Sequence, residues 1–281
     1  MPDLEAGRDD HSVPTSTRRL VPLLLAGLLL VPVTGSVSAV SEPVTEQVLT
    51  QAGRDLVTLM NRQRAARGLI VLRLDPDLMA IARDRADVMA ANDRMSHTEP
   101  NGQKVFDRLT DAGLTWYGAG EIIAWNNYPT QYTTAEAIRA WMASPGHRAI
   151  IVSTGYNYVG FGAAVSASGK RYYAGVFVKE PDETAAWARF RTTVKRSIDA
   201  NHVRVTIRWY GGDTRLQVLT SGLRYYQVQR RRVGGAWYSW PVTTATSRSI
   251  TWSRQYDHDV RVRARDKAGN WSTWRTIRIN L

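Results

Sequence analysis

Cysteine is absent from all 281 residues. That excludes a disulfide framework, a thiol nucleophile, zinc ribbons, iron–sulfur ligation and a lipid-bearing cysteine behind an export signal. Long apolar runs are scarce too. The longest, Leu20–Val33, covers 14 residues and is broken only by Gly27 and two prolines. A bilayer core of about 30 Å needs about 20 residues at about 1.5 Å each. Histidine occurs only five times, so few imidazoles are on offer for catalysis or metal. There is no H-E-x-x-H motif and no G-x-S-x-G elbow. Acidic residues are the minority charge: 25 Asp and Glu stand against 37 Lys and Arg, a net charge of +12.

What is present begins with a leader. Residues 1–19 are polar and end in Arg18-Arg19, the apolar run follows, and Gly35, Ser36, Val37, Ser38 and Ala39 form a small-residue zone. This order predicts a secretory signal over 1–39, removed near Val40. The alternative is an uncleaved anchor. The expected mature chain has no transmembrane span and is secreted, extracellular or associated with the cell envelope. Export without cysteine suits a bacterial source.

Charge divides the remainder. Residues 189–281 hold 19 Lys and Arg but 5 Asp and Glu, whereas residues 1–188 hold 18 and 20. The whole basic excess therefore lies in the last third, with six of the ten tryptophans. The expected organisation is a mixed domain over 40–180, a linker over 181–195 and a basic β-sandwich over 196–281. In the first, Val48, Leu49, Ala52, Leu56, Val57 and Met60 recur at helical spacing up to Gly68. Asp75-Pro76 opens a second helix, with Arg85 at the margin of its apolar face. A third covers Lys104–Ala112. Thr133-x-x-Glu136 reads as a capping box for a fourth, which Ser144-Pro145-Gly146 stops. Strands are expected over Tyr158–Val165 and Arg171–Val178, with shorter ones near Leu69–Arg73 and Glu121–Trp125. In the last third, Val203–Trp209, Val260–Ala264 and Ile277–Ile279 alternate apolar and polar residues, the period of half-buried strands. The fold class is α+β followed by all-β.

Three residues stand where chemistry is usually presented, at helix ends and loop–strand junctions. His97 follows the second helix, His147 follows Ser144-Pro145-Gly146, and Glu121 follows Gly118-Ala119-Gly120. Two imidazoles and a carboxylate suit a divalent metal, zinc above all. Their spacing alone is no metal motif, and surface or capping histidines are common. Ser96 beside His97 is a poor hydrolase pair, because neighbours in sequence seldom face each other.

The stretch from about residue 52 to 178 resembles the bacterial branch of the CAP superfamily, the cysteine-rich secretory, antigen 5 and pathogenesis-related proteins. The likeness rests on Asn61-x-x-Arg64, Gly68, Leu72, Leu78, Ala82, Met95-Ser96-His97, Gly102, Arg108, Gly113, Gly120-Glu121, Ala135-Glu136, Trp141, Ser144-Pro145-Gly146-His147-Arg148 and Val159-Gly160-Phe161-Gly162. The resemblance implies an α-β-α sandwich with an open cleft, where two histidines and two acidic residues can hold a metal. His97, Glu121 and His147 fall on three of those positions. Ile122 replaces the usual asparagine, and Ser144 occupies the eukaryotic second acidic position, leaving Glu136 as a weaker candidate. The family does not imply one reaction: lipid binding, protease-like activity and protein partnership are all described. The candidates are thus a zinc-dependent hydrolase of peptide, ester or cell-wall substrates, and a non-catalytic lipid, peptide or small-molecule binder.

The tail, notably Val260–Asn270 with Trp271 and Trp274, resembles fibronectin type III-like (Ig-like) modules. Arg261, Arg263 and Arg265 share one strand face. If the neighbouring strands are Tyr225–Arg232 and Thr273–Asn280, Arg231 and Arg278 join them, with Gln227 and Gln229 between. Such a face would attract anionic polymers of a cell wall or its surroundings; arginines simply filling a solvent face is the alternative. Export disfavours nucleic acid. The tryptophans are expected in the core and corners rather than as stacking platforms.

Overall fold

The computed structural model describes residues 46–281, so the expected signal over 1–39 lies outside the described residues. The first unit is built on a four-stranded sheet of β1 (Arg73–Leu74), β2 (Gly118–Asn126), β3 (Tyr158–Val165) and β4 (Arg171–Lys179), in the order β1-β3-β4-β2. β1 runs parallel to β3, and the other pairs are antiparallel. Helices cover both faces: α1 (Glu46–Ala65), α4 (Thr133–Ala143) and α5 (Pro145–Ile151) on one, α2 (Pro76–Ala91) and α3 (Val105–Asp111) on the other.

The alternation of strand side chains explains this division. Val159, Phe161 and Ala163 of β3 pack with Leu56, Val57 and Met60 of α1 and with Trp141 of α4. Gly160 and Gly162 turn to α2. A Cβ on Gly160 would lie 2.1 Å from the Leu78 carbonyl carbon, and one on Gly162 would lie 2.2 Å from the Arg83 nitrogen. The helix therefore rests directly on strand backbone, which only glycine permits. Asp75 caps α2, its Oδ1 accepting from the Leu78 N–H at 2.9 Å, with Pro76 in the first turn.

Two local expectations are corrected. The Thr133-x-x-Glu136 capping box does not form: Thr133 is inside α4, its hydroxyl donates to the Thr130 carbonyl, and Glu136 pairs with Arg139. Ser144-Pro145-Gly146 ends α4 but also starts α5, because Pro145 has the fixed φ and missing N–H that suit a first helical position. His147 thus sits in the first turn of a helix.

The second unit consists of two facing sheets. One has β7 (His202–Gly212) between β10 (Ser247–Ser253) and β5 (Trp187–Phe190), with β6 (Val194–Ser197) also pairing β7. The other runs β12 (Arg275–Ile279), β11 (His258–Asp266), β8 (Leu223–Arg232), β9 (Tyr238–Ser239). Val203, Val205, Ile207 and Trp209 meet Val260, Val262, Ala264 and Val228 in a shared core. β5 and the first half of β6 fall inside the stretch 181–195 expected as linker; both are too short to show a period.

The units interlock. Leu216, in the loop before β8, is 2% exposed and packs with Leu78, Tyr158 and Val176. Gln217 Oε1 accepts from Ile70 N–H at 3.0 Å and from Arg64 Nη2 at 3.2 Å. Arg64 is fully buried, and its guanidinium also donates to the carbonyls of Ile70, Ile151 and Ser153. Burial lowers its pKa to about 10.

Candidate functional site

Glu121 lies on β2, an edge strand. Alternation points it, like Ile123, to the α2 face, while Ile122 joins the cluster containing Trp141 and Ile151 on the other face. The side chain it meets is Arg85. Sequence reading put Arg85 at the margin of α2; it is instead fully buried at the centre of the helix's apolar face. Its Nε donates to Glu121 Oε1 at 2.7 Å, Nη1 to Glu99 Oε1 at 2.8 Å and Nη2 to the Ser96 carbonyl at 2.8 Å. Arg108 of α3 also clasps Glu99, its Nη2 donating to Oε2 at 2.9 Å. His97 ends the chain, Nδ1 lying 2.7 Å from Glu121 Oε2. The network runs Arg108–Glu99–Arg85–Glu121–His97.

Two guanidiniums balance two carboxylates here, so neither buried glutamate stands as a lone charge. Burial alone would lower the Arg85 guanidinium; its bonds to Glu121 and Glu99 outweigh this and raise it. The Arg108 bond, with help from Arg85, holds the Glu99 carboxyl below its ordinary range. The signal that could have revealed Arg85 is its place in the spacing Leu78, Ile81, Ala82, Arg85, Met89: a charge on a core-facing stripe needs a buried partner.

Of the expected site residues, the fold brings His97 and Glu121 together. His147 is half-buried on α5, and α5 packs through Ile150 and Ile151 against the face of β2 that Glu121 does not use. Glu136 is on α4, paired with Arg139. Among the described residues, the one group of three His, Asp or Glu whose ligand atoms all lie within 4.8 Å of one another is Asp182, Asp213 and Asp266. A zinc centre needs its ligand atoms about 2.0–2.2 Å from the ion. The donor chemistry of an imidazole backed by a carboxylate suits such an ion, but His97, Glu121 and His147 as they stand are not a closed set. What the geometry builds is a half-exposed histidine whose Nδ1 is fixed by a carboxylate that a buried arginine holds still, with Nε2 left to act.

A cavity of about 370 Å³ lies elsewhere, between α1 and α4, with a mixed lining of Val48, Leu49, Ala52, Ala163 and Tyr173 beside Gln51, Asp55, Thr133 and Arg171. Ala163 and Tyr173 belong to the sheet face turned away from Glu121. A ligand in that cavity and the His97–Glu121 pair would therefore use opposite sides of the sheet, not one shared cleft.

On the second unit, the expected neighbours of β11 are confirmed. Arg261 stands opposite Gln229, Arg263 opposite Gln227 and Asp259 opposite both Arg231 and Arg278. Asp259 bonds those two arginines, Oδ2 to Arg231 and Oδ1 to Arg278, each at 3.0 Å. Among the described residues, Arg261, Arg263 and Arg265 have no carboxylate partner; their Nε groups donate to Gln229 Oε1, Gln227 Oε1 and the Gly269 carbonyl. The tryptophans correct the expectation of a core role. Trp209 and Trp252 are buried, but Trp237, Trp271 and Trp274 stack on guanidiniums.

Comparison with known proteins places the first unit. Residues 57–178 match the family model of the cysteine-rich secretory protein family, CAP. This segment is a CAP domain, and the chain joins it to a β-sheet-rich C-terminal region. The chain is 32% identical over 115 residues to the uncharacterized protein YkwD of Bacillus subtilis, covering 41% of this chain and 43% of that one. It is 27% identical over 141 residues to the uncharacterized membrane protein YlbC of the same organism, covering 50% and 38%. The chain thus spans about two fifths of the length of these relatives. Similar solved structures include an extracellular protein containing an SCP domain from Bacillus anthracis, with 24% identity, TM-score 0.43 and coverage of 50% of this chain and 45% of that one. Another is an outer surface protein of Borrelia burgdorferi, with 20% identity, TM-score 0.41 and coverage of 45% and 91%. No helix among the described residues is long and apolar enough to cross a membrane.

Proposed function

We propose that this is an exported CAP-domain protein whose basic β unit fastens it to anionic polymers of the cell envelope or its surroundings. Its two facing sheets fit a fibronectin type III-like module. The observation that carries the reading is the row Arg261, Arg263 and Arg265, three cations on one sheet face with no carboxylate partner among the described residues. The net positive charge of the last third adds long-range attraction. The test is co-sedimentation of the full chain with bacterial wall preparations. Sedimentation that disappears after chemical removal of the wall's anionic polymers, and in about 1 M salt where screening acts within about 3 Å, supports the reading. Sedimentation indifferent to both overturns it.

A second reading concerns the His97–Glu121 pair. His97, fixed through Nδ1 by Glu121, offers Nε2 as a proton acceptor or as a zinc ligand. A zinc titration of the full chain beside His97→Ala and His147→Ala separates the two. Stoichiometric binding lost in both variants supports a metal site that closes on the ion; no binding leaves the histidine as an acid–base group.

A further inference from the structure

The three unpaired arginines belong to a longer alternation. Arg231 and Arg261 lie over Trp237, at 4.5 and 4.2 Å. Arg261 and Arg263 lie over Trp274, at 4.3 and 4.6 Å. Arg263 and Arg265 lie over Trp271, at 3.9 and 5.3 Å. Each indole carries two guanidiniums, so the order is Arg231–Trp237–Arg261–Trp274–Arg263–Trp271–Arg265.

This stacking fixes the arginines in two ways. Indoles cover the guanidinium planes, and the Nε atoms are tied to Gln229, Gln227 and Gly269. At Arg261 and Arg263 the terminal Nη edges are left for a ligand, already extended and ordered before binding. At one end Asp259 pairs with both Arg231 and Arg278 and offsets one of their two charges, so the arginines of the expected five-arginine face that lack a carboxylate are Arg261, Arg263 and Arg265. Among the described residues no carboxylate balances those three. Burial, and after it the neighbouring arginines, lower the Arg261 and Arg263 guanidiniums, so an arriving anion relieves a strain between like charges.

We propose that this ladder binds a linear polyol phosphate, with successive phosphodiesters seated on successive arginines. The inference rests on the polymer-tethering reading above and narrows it to one class of polymer. Alternate residues of a strand are spaced roughly 6.6–6.8 Å apart. A chain skeleton advances about 1.1–1.2 Å per bond when extended, so a three-carbon polyol phosphate with six bonds per repeat spans about 7 Å. The spacings agree. The two Nη groups of a guanidinium match the two free oxygens of a phosphodiester, and indole edges between them offer contact to the polyol carbons. Single-stranded nucleic acid has a similar phosphate spacing but gains much of its affinity from bases stacking on open aromatic faces. Here guanidiniums already occupy the indoles.

The test measures binding of the full chain to polyglycerol phosphate, polygalacturonate and oligothymidylate, at matched total charge and one salt concentration. Polyglycerol phosphate is expected to bind at least tenfold more tightly than either of the others. Arg263→Lys, which keeps the charge and loses the fork, is expected to weaken it at least fivefold, while Arg208→Lys on the other sheet leaves it unchanged. An unaltered melting temperature of Arg263→Lys shows that its loss of binding is not a loss of folding. Equal binding of all three polymers, or no effect of Arg263→Lys, overturns the ladder assignment and leaves a charge-only tether. Preference for oligothymidylate overturns the polyol class. Binding to none overturns both the ladder and the tethering reading.

Discussion

Replacing Glu180 by Gln should remove a slope from the pH dependence of stability. Glu180 follows β4, and its backbone is clamped by Asn157: its N–H donates to Asn157 Oδ1 at 3.0 Å, and its carbonyl accepts from Asn157 Nδ2 at 2.8 Å. The side chain is buried with Oε1 unpartnered. Burial first, and then the charges of Asp75, Glu183 and Asp77, push its carboxyl from 4.5 up to about 8. The folded state therefore holds a proton that the unfolded chain releases near pH 4.5, and folding stability falls as pH rises from 4.5 through about 8. At about 1.4 kcal/mol per pH unit the whole shift amounts to about 5 kcal/mol. Water entry and relaxation of the surrounding carboxylates reduce this to roughly 2–3 kcal/mol. Gln cannot ionise, so the variant should match the parent near pH 4.5 and exceed it by that amount above pH 8. Urea unfolding at half-unit steps from pH 4.5 to 9 reads the difference, and taking it against the parent cancels the other titrating groups. Parallel profiles would show that Glu180 is ionised in the fold and refute the reasoning.

Three further changes probe the packing. Arg85→Met leaves Glu121 and Glu99 buried without their shared partner; denaturant unfolding should show a loss of about 3–5 kcal/mol. Gly162→Ala places a Cβ 2.2 Å from the Arg83 nitrogen, and α2 must move off β3, a loss above about 3 kcal/mol by the same assay; an effect below about 1 would contradict the close approach. Leu216→Ala opens a cavity between the two units and should cost about 2–4 kcal/mol, with hydrogen exchange rising at Leu78 and Val176 as well as within the β unit. Exchange confined to the β unit would mean that the two units do not share this contact.

Much of this architecture is written locally. Asp75-Pro76 and Gly68 mark helix boundaries through fixed backbone preferences, and alternation in Val260–Ala264 assigns the arginines to one face before any partner strand is known. The Gln227 and Gln229 neighbours follow from the same period once three strands are set side by side. What escaped depends on contacts between distant residues. Arg85 is at home in an apolar stripe only because Glu99 and Glu121 arrive from other segments. Trp271 and Trp274 differ in sequence from a core tryptophan such as Trp252 in nothing obvious; the arginines across the strand decide their role. Ser144-Pro145-Gly146 fits the end of one helix and the start of the next equally well, and the half-buried site of His147 depends on the second. β5 has four residues, too few for a period to emerge.

The central claim is that the unbalanced arginines of β11 hold the chain to an anionic polymer. The most direct measurement is the salt dependence of binding to polyglycerol phosphate by the full chain and by a variant with Arg261, Arg263 and Arg265 all changed to Ser. Each phosphate contact contributes about 0.7 to the slope of log affinity against log salt for a flexible single chain. The account predicts a slope shallower by about 2 in the triple variant, with affinity at low salt at least a hundredfold weaker. An unchanged slope and affinity would place the binding, and the purpose of the basic domain, on other residues.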